Sequence, residues 1–195
     1  MKNGAWAAFY DEKQNIYNPC FQEGFSELQL YTAARFRLYV NCRNTVQIGD
    51  CSSKLSGVQL YEYIHENGEE VQKIQYSDIN DFAKKVEKII HDLKEEKVNL
   101  SDVVFLAPKQ YKKSMLKGAK IEVNDLSAGI EMDKDIPVYA TIQGFKGLDS
   151  KIVILFDVDD IREESFSRFM YIAATRARTL LYIFGSEKFW AKHEI

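Results

Sequence analysis

The sequence predicts an α/β fold, a mostly parallel sheet flanked by helices on both faces. Two observations predict it. Short β-branched or aromatic runs alternate with helical patterns along the chain, the order that parallel strands and their crossovers produce. Several of those runs, such as Val103–Ala107 (VVFLA), are apolar throughout, as strands covered on both faces are.

Taken in order, strands are expected at Arg35–Val40, Val71–Tyr76, Val103–Ala107, Val138–Ile142, Ile152–Phe156 and Leu180–Phe184. Between the second and third, Asp78–Lys97 places Phe82, Val86, Ile89, Ile90 and Leu93 on one stripe of a helix, with Ser77 or Asp78 as N-cap. Lys84, Lys85 and Lys88 then fall on its solvated side. Lys109–Lys120 is lysine-rich around Tyr111 and reads as a solvated helix, or as a surface for a phosphate backbone. Lys117–Pro137 lacks periodicity and is expected to be a loop or short crossover. A small-residue helix is expected to run through Ala173, Ala174, Thr175, Arg176, Ala177 and Arg178 into the last strand.

The 195 residues fit one domain, and 46% hydrophobic with 28% charged residues is ordinary for a globular chain. A net charge of -3 gives no global basic field, so a nucleic-acid contact would need a local patch or another part of the protein. Cys20, Cys42 and Cys51 are odd in number and lack CxxC spacing, which argues against a disulfide framework or a structural zinc site. No apolar run approaches the roughly 20 residues of a membrane span, and Met1–Tyr10 has no signal-peptide pattern. A reducing cytoplasm is the expected location.

Candidate chemistry gathers in the last third. The strand Val138–Ile142 runs into Gln143, Gly144, Phe145, Lys146 and Gly147, and glycines there let the backbone turn tightly and approach a ligand. Asp149 follows, where a carboxylate could accept hydrogen bonds from a ribose; a plain structural loop would account for the same turn. Ligands of open parallel sheets collect at the carboxyl ends of strands. On one helix, Arg176 and Arg178 would point about 200° apart, so they could not serve one surface. An arginine beside a transferring phosphoryl group stabilises charge on its oxygens. No GxxxxGK[ST] phosphate loop is present in the 195 residues, so the chain reads as half of a nucleotide site.

Four stretches, in order, resemble superfamily 1 helicases of the UvrD type. AAFYDEKQNIY (Ala7–Tyr17) resembles motif III, LYVNCRNTVQI (Leu38–Ile48) motif IV, TIQGFKGLDSKIVIL (Thr141–Leu155) motif V, and RFMYIAATRARTLLYIFG (Arg168–Gly185) motif VI. The resemblance implies a RecA-like fold, with residues 1–30 as the tail of a first motor domain and residues 31–195 as the second. The family's phosphate loop and Mg²⁺-binding acids lie upstream of motif III, so the chain is expected to be a C-terminal fragment. The interval between Arg43 and Thr141 is too short for the large accessory domain of some relatives. VILFDVDD (Val153–Asp160) mimics a Walker B strand, but its position directly after motif V argues against that assignment.

By the same resemblance, ATP with Mg²⁺ would bind between the two domains of the intact protein. Gln14, Arg43 and Arg176 would address its γ-phosphate, and Asp149 its ribose where relatives carry Glu, with Lys146 and Gly147 beside the nucleotide. Thr141 and Gln143, the latter in place of the usual His, would lie near single-stranded DNA, with Tyr17 or Phe21 as the base-stacking aromatic. The implied function is an ATP-dependent DNA helicase or translocase whose partners are its own N-terminal RecA-like domain and single-stranded DNA. The alternative is a helicase-like scaffold or regulatory nucleotide-binding module that does not unwind.

Overall fold

The computed structural model describes residues 40–58, 62–65, 68–129 and 133–193. Six strands form one sheet, every adjacent pair parallel: β3 (Gln72–Tyr76), β4 (Val103–Ala107), β5 (Asn124–Asp125), β6 (Val138–Thr141), β7 (Ser150–Leu155) and β8 (Ala177–Ser186). Their spatial order is β3-β8-β7-β4-β6-β5. A separate parallel pair joins β1 (Val40–Thr45) to β2 (Glu62–His65). The helices are α1 (Val46–Ser56), α2 (Ile79–Glu95), α3 (Met115–Gly118), α4 (Glu163–Ala174) and α5 (Glu187–Lys192). The arrangement is RecA-like α/β.

The central strand β4 is apolar and buried throughout because both of its faces are covered. In β4, Val104 and Leu106 join a core with Ile48 and Leu55 of α1 and Met170 and Ile172 of α4. Val103 and Phe105, on the other face by the two-residue alternation, pack with Phe82, Val86, Ile89 and Leu93 of α2. Phe82 anchors that second core edge-on to Phe184, with ring centroids 5.0 Å apart, an arrangement that aromatic quadrupoles favour. Among the described residues, no helix is long and apolar enough to cross a membrane.

Most expected elements are present with ends shifted by a few residues. Asp78 is the N-cap of α2, its carboxylate accepting from the Asn80 and Asp81 amides at 2.7 and 3.0 Å. Of the predicted strand Arg35–Val40, only Val40 lies within the described residues, where it begins a strand that continues to Thr45. Lys109–Lys120 is not one helix: a 3₁₀ turn at Tyr111–Lys113 and the short α3 are separated by Ser114, whose hydroxyl donates to the Tyr111 carbonyl at 2.8 Å. Lys109 pairs with Asp160 at 2.5 Å, and Lys117 lies over the Tyr111 ring. The helix expected to reach Arg178 ends at Ala174. There the Thr175 hydroxyl bonds the Tyr171 carbonyl at 2.7 Å, and β8 takes over by pairing Ala177 with Ser150.

Beyond β7, Asp157 is 1% exposed, with positive φ. One carboxylate oxygen accepts from the Met115 amide at 3.2 Å, while Oδ1 is buried with no hydrogen-bond partner. Burial, reinforced by Asp160 and Asp159 against the opposing Lys109 and Met115 amide, raises its pKa from 3.8 to about 6. Between those values the folded protein holds more protons than the unfolded chain, so this group makes stability fall as pH rises through that window, by roughly 3 kcal/mol in all. Asn tolerates the left-handed backbone. Calorimetric melting from pH 4 to 7.5 is therefore expected to show Asp157→Asn gaining on wild type as pH rises, whereas parallel profiles would contradict the assignment.

Candidate functional site

Three segments converge at the amino-terminal edge of β7 and β8, and side-chain amides set the first of them. The Asn41 carboxamide oxygen accepts from the Arg43 and Asn44 amides at 2.9 and 3.1 Å, within β1 where its pairing with β2 shifts register. Asn44, 1% exposed, donates through Nδ2 to the Thr175 and Ala177 carbonyls. Those carbonyls lie where α4 gives way to β8, so Asn44 fixes β1 to that junction. Arg43, one residue earlier, is left facing solvent.

The second segment is the junction itself. Arg176 is 1% exposed. Its Nε donates to the Ile172 carbonyl at 3.0 Å, NH1 to the Leu148 carbonyl at 3.1 Å, and NH2 approaches the Thr175 hydroxyl at 3.3 Å. One guanidinium thus ties the end of α4 to the 142–149 connection, in the planar multidentate manner for which arginine is suited.

That connection is the third segment. Both β6 and β7 run parallel to β4, on opposite sides of it, so residues 142–149 must travel the length of the sheet from the carboxyl end of one strand to the amino end of the other. Thr141 therefore stands at one end and Asp149 at the other. The Thr141 hydroxyl accepts from the Gly144 amide at 3.0 Å and starts the turn; Phe145 plugs into the core beside α1 and α4. Gly147 has φ of 90°, a backbone that side chains with Cβ rarely adopt. Gln143 and Lys146 are half-buried.

At the far end of the connection, Asp149 sits between two arginines. Arg43 Nε lies 3.5 Å from Oδ2, and Arg178 Nε lies 3.4 Å from Oδ1. All three side chains are partly exposed, at 41%, 48% and 35% for Arg43, Arg178 and Asp149, so each ion pair contributes at most about 1 kcal/mol.

One expectation needs correction. The helix expected to carry Arg176 and Arg178 has already ended at Ala174, yet the two side chains still serve different surroundings: Arg176 is buried against the Leu148 carbonyl, while Arg178 is half-exposed and faces the Asp149 carboxylate. Arg43, Asp149 and Arg178 meet at the amino ends of β7 and β8, whereas Thr141 and Gln143 lie by the carboxyl end of β6, the end at which ligands of such sheets are expected. Gln14 and Tyr17 lie outside the described residues. Arg178 was present in the sequence as the second arginine of TRAR, and the sequence signal that could have found it was the β-branched, aromatic run ending in Phe184, read as starting earlier.

In structure the chain is similar to the C-terminal domain of a possible DNA helicase from Lactobacillus plantarum WCFS1, with a TM-score of 0.60 and 14% identity over 75% of this chain and 88% of that one. At that identity the likeness speaks to the fold. No family model matches the sequence, and no curated protein matches it.

The two arginines after Thr175 should respond unequally to truncation. Arg176→Ala strips donors from buried carbonyls and leaves a void, at an expected cost on the order of 3 kcal/mol. Arg178→Ala removes one exposed pair and should cost less than about 1 kcal/mol. Urea denaturation of both variants checks this, and equal losses would contradict the packing described.

Proposed function

We propose that this chain is the second motor domain of an ATP-dependent DNA helicase or translocase of the superfamily 1, UvrD-like type. The observation that carries the reading is the meeting of three motif-bearing segments at one edge of a RecA-like sheet: Arg43 from β1, Asp149 from the 142–149 connection, and Arg176 and Arg178 from the α4–β8 junction. The structural likeness to the C-terminal domain of a possible DNA helicase supports it. Residues 1–30 are the tail of the first motor domain in this proposal.

ATP, bound with Mg²⁺ against the N-terminal domain, would present its γ-phosphate to Arg43, which already faces solvent, and to Arg176. Arg176 holds the Leu148 carbonyl, so reaching a phosphate means releasing one end of the connection whose other end carries Thr141 and Gln143. Single-stranded DNA at Thr141 and Gln143 would feel that release. The grip on DNA would thereby follow the γ-phosphate, in the manner of switch segments ordered by phosphate contacts. Lys146 and Gly147 lie along the same connection, and Asp149 would accept from the ribose.

Arg43 gives the cleaner mutational test, because Arg176→Ala is expected to damage the fold as well. In the protein that joins this chain to a phosphate-loop domain, Arg43→Ala should weaken ATP binding only modestly and lower DNA-stimulated turnover by about a thousandfold, as loss of an arginine finger does. Near-normal turnover would sink the role. Absence of any DNA stimulation in the wild-type protein would favour the non-unwinding scaffold.

A further inference from the structure

Arg178 has no part in the motif-derived roles, yet it pairs with the carboxylate at the centre of the site. It approaches Asp149 from the side opposite Arg43, each arginine taking a different carboxylate oxygen. The carboxylate thus holds two half-exposed guanidiniums around one anionic centre and leaves one unit of positive charge in excess. Exposed pairs of this kind are weak and easily exchanged, whereas a phosphoryl group offers more negative charge and several acceptor oxygens that match guanidinium geometry.

We propose that Arg178 is a further polyphosphate-binding residue of this site, with Asp149 as the internal anion that holds Arg178 and Arg43 together until the ligand takes its place. An arriving polyphosphate would displace the Asp149 carboxylate, be gripped by Arg178 and Arg43 together, and leave Asp149 free to accept from hydroxyl groups. The identity of the anion as part of a nucleoside triphosphate rests on the motor reading above; the paired arginines do not. Arg176 stays apart from this exchange at the level of the isolated chain, because its guanidinium is buried against the Ile172 and Leu148 carbonyls.

The test is a titration of this chain, labelled with ¹⁵N, with inorganic tripolyphosphate at low ionic strength, following the arginine Nε–Hε signals. The Arg43 and Arg178 signals are expected to move together while that of Arg176 stays in place. Arg178→Ala should weaken binding about fivefold, Arg178→Lys should restore part of it, and Asp149→Ala should strengthen it by a similar factor because the competing carboxylate is gone. Wild-type affinity in Arg178→Ala, a stationary Arg178 signal, or weaker binding in Asp149→Ala would overturn the proposal. DNA-stimulated ATPase of the joined protein separates this from the motor reading. Turnover and ATP affinity unaffected by Arg178→Ala would remove Arg178 and leave the motor, whereas tripolyphosphate binding at Arg178 without any DNA-stimulated ATPase would leave the site and remove the motor.

Discussion

The site depends on one buried charge. Arg176 is the largest of the fully buried side chains, and its position inside the fold is tolerable only because its guanidinium meets the Ile172 and Leu148 carbonyls and the Thr175 hydroxyl. Through those contacts the end of α4 and the end of the 142–149 connection become one body. Asn44 extends the body to β1 by holding the Thr175 and Ala177 carbonyls. Arg43, Asp149 and Arg178 are placed on the surface of that body, so their mutual distances follow from groups that never touch solvent.

The connection between β6 and β7 gives this edge a mechanical link to the other end of the sheet. Most crossovers in parallel sheets are helices laid against a face, but this one is a run of turns from Thr141 to Asp149, pinned in the middle by Phe145. A change at Leu148 therefore has a short covalent path to Gln143 and Thr141. Gly147 provides the left-handed turn near one end of that path.

Much of the fold was legible because burial on both sheet faces leaves an unmistakable pattern. VVFLA and KIVIL have few polar residues to confuse the assignment, and the α2 stripe from Phe82 to Leu93 combines with a carboxylate cap at Asp78. The β1 strand was not legible from pattern, since VNCRNT owes its position to Asn41 and Asn44 hydrogen bonds rather than to apolar alternation. The end of α4 was missed for a related reason: alanines and arginines favour helix locally, but pairing of Ala177 with Ser150 overrides that preference. With it went the place of Arg178, whose approach to Asp149 is a tertiary fact. The resemblance to helicase motifs pointed to Arg43, Asp149 and Arg176, and the structure brings Arg43 and Asp149 together with Arg178, to which no motif gave a role.

In the motor reading proposed above, this chain would supply the phosphate-sensing half of a DNA-driven ATPase and a phosphate-loop domain the phosphate-holding half. ATP turnover by this chain alone, beside the same chain joined to a phosphate-loop domain, each with and without single-stranded DNA, decides that reading. The expected result is no turnover by the chain alone and DNA-stimulated turnover by the joined protein. Turnover by the chain alone, or a joined protein indifferent to DNA, would contradict it.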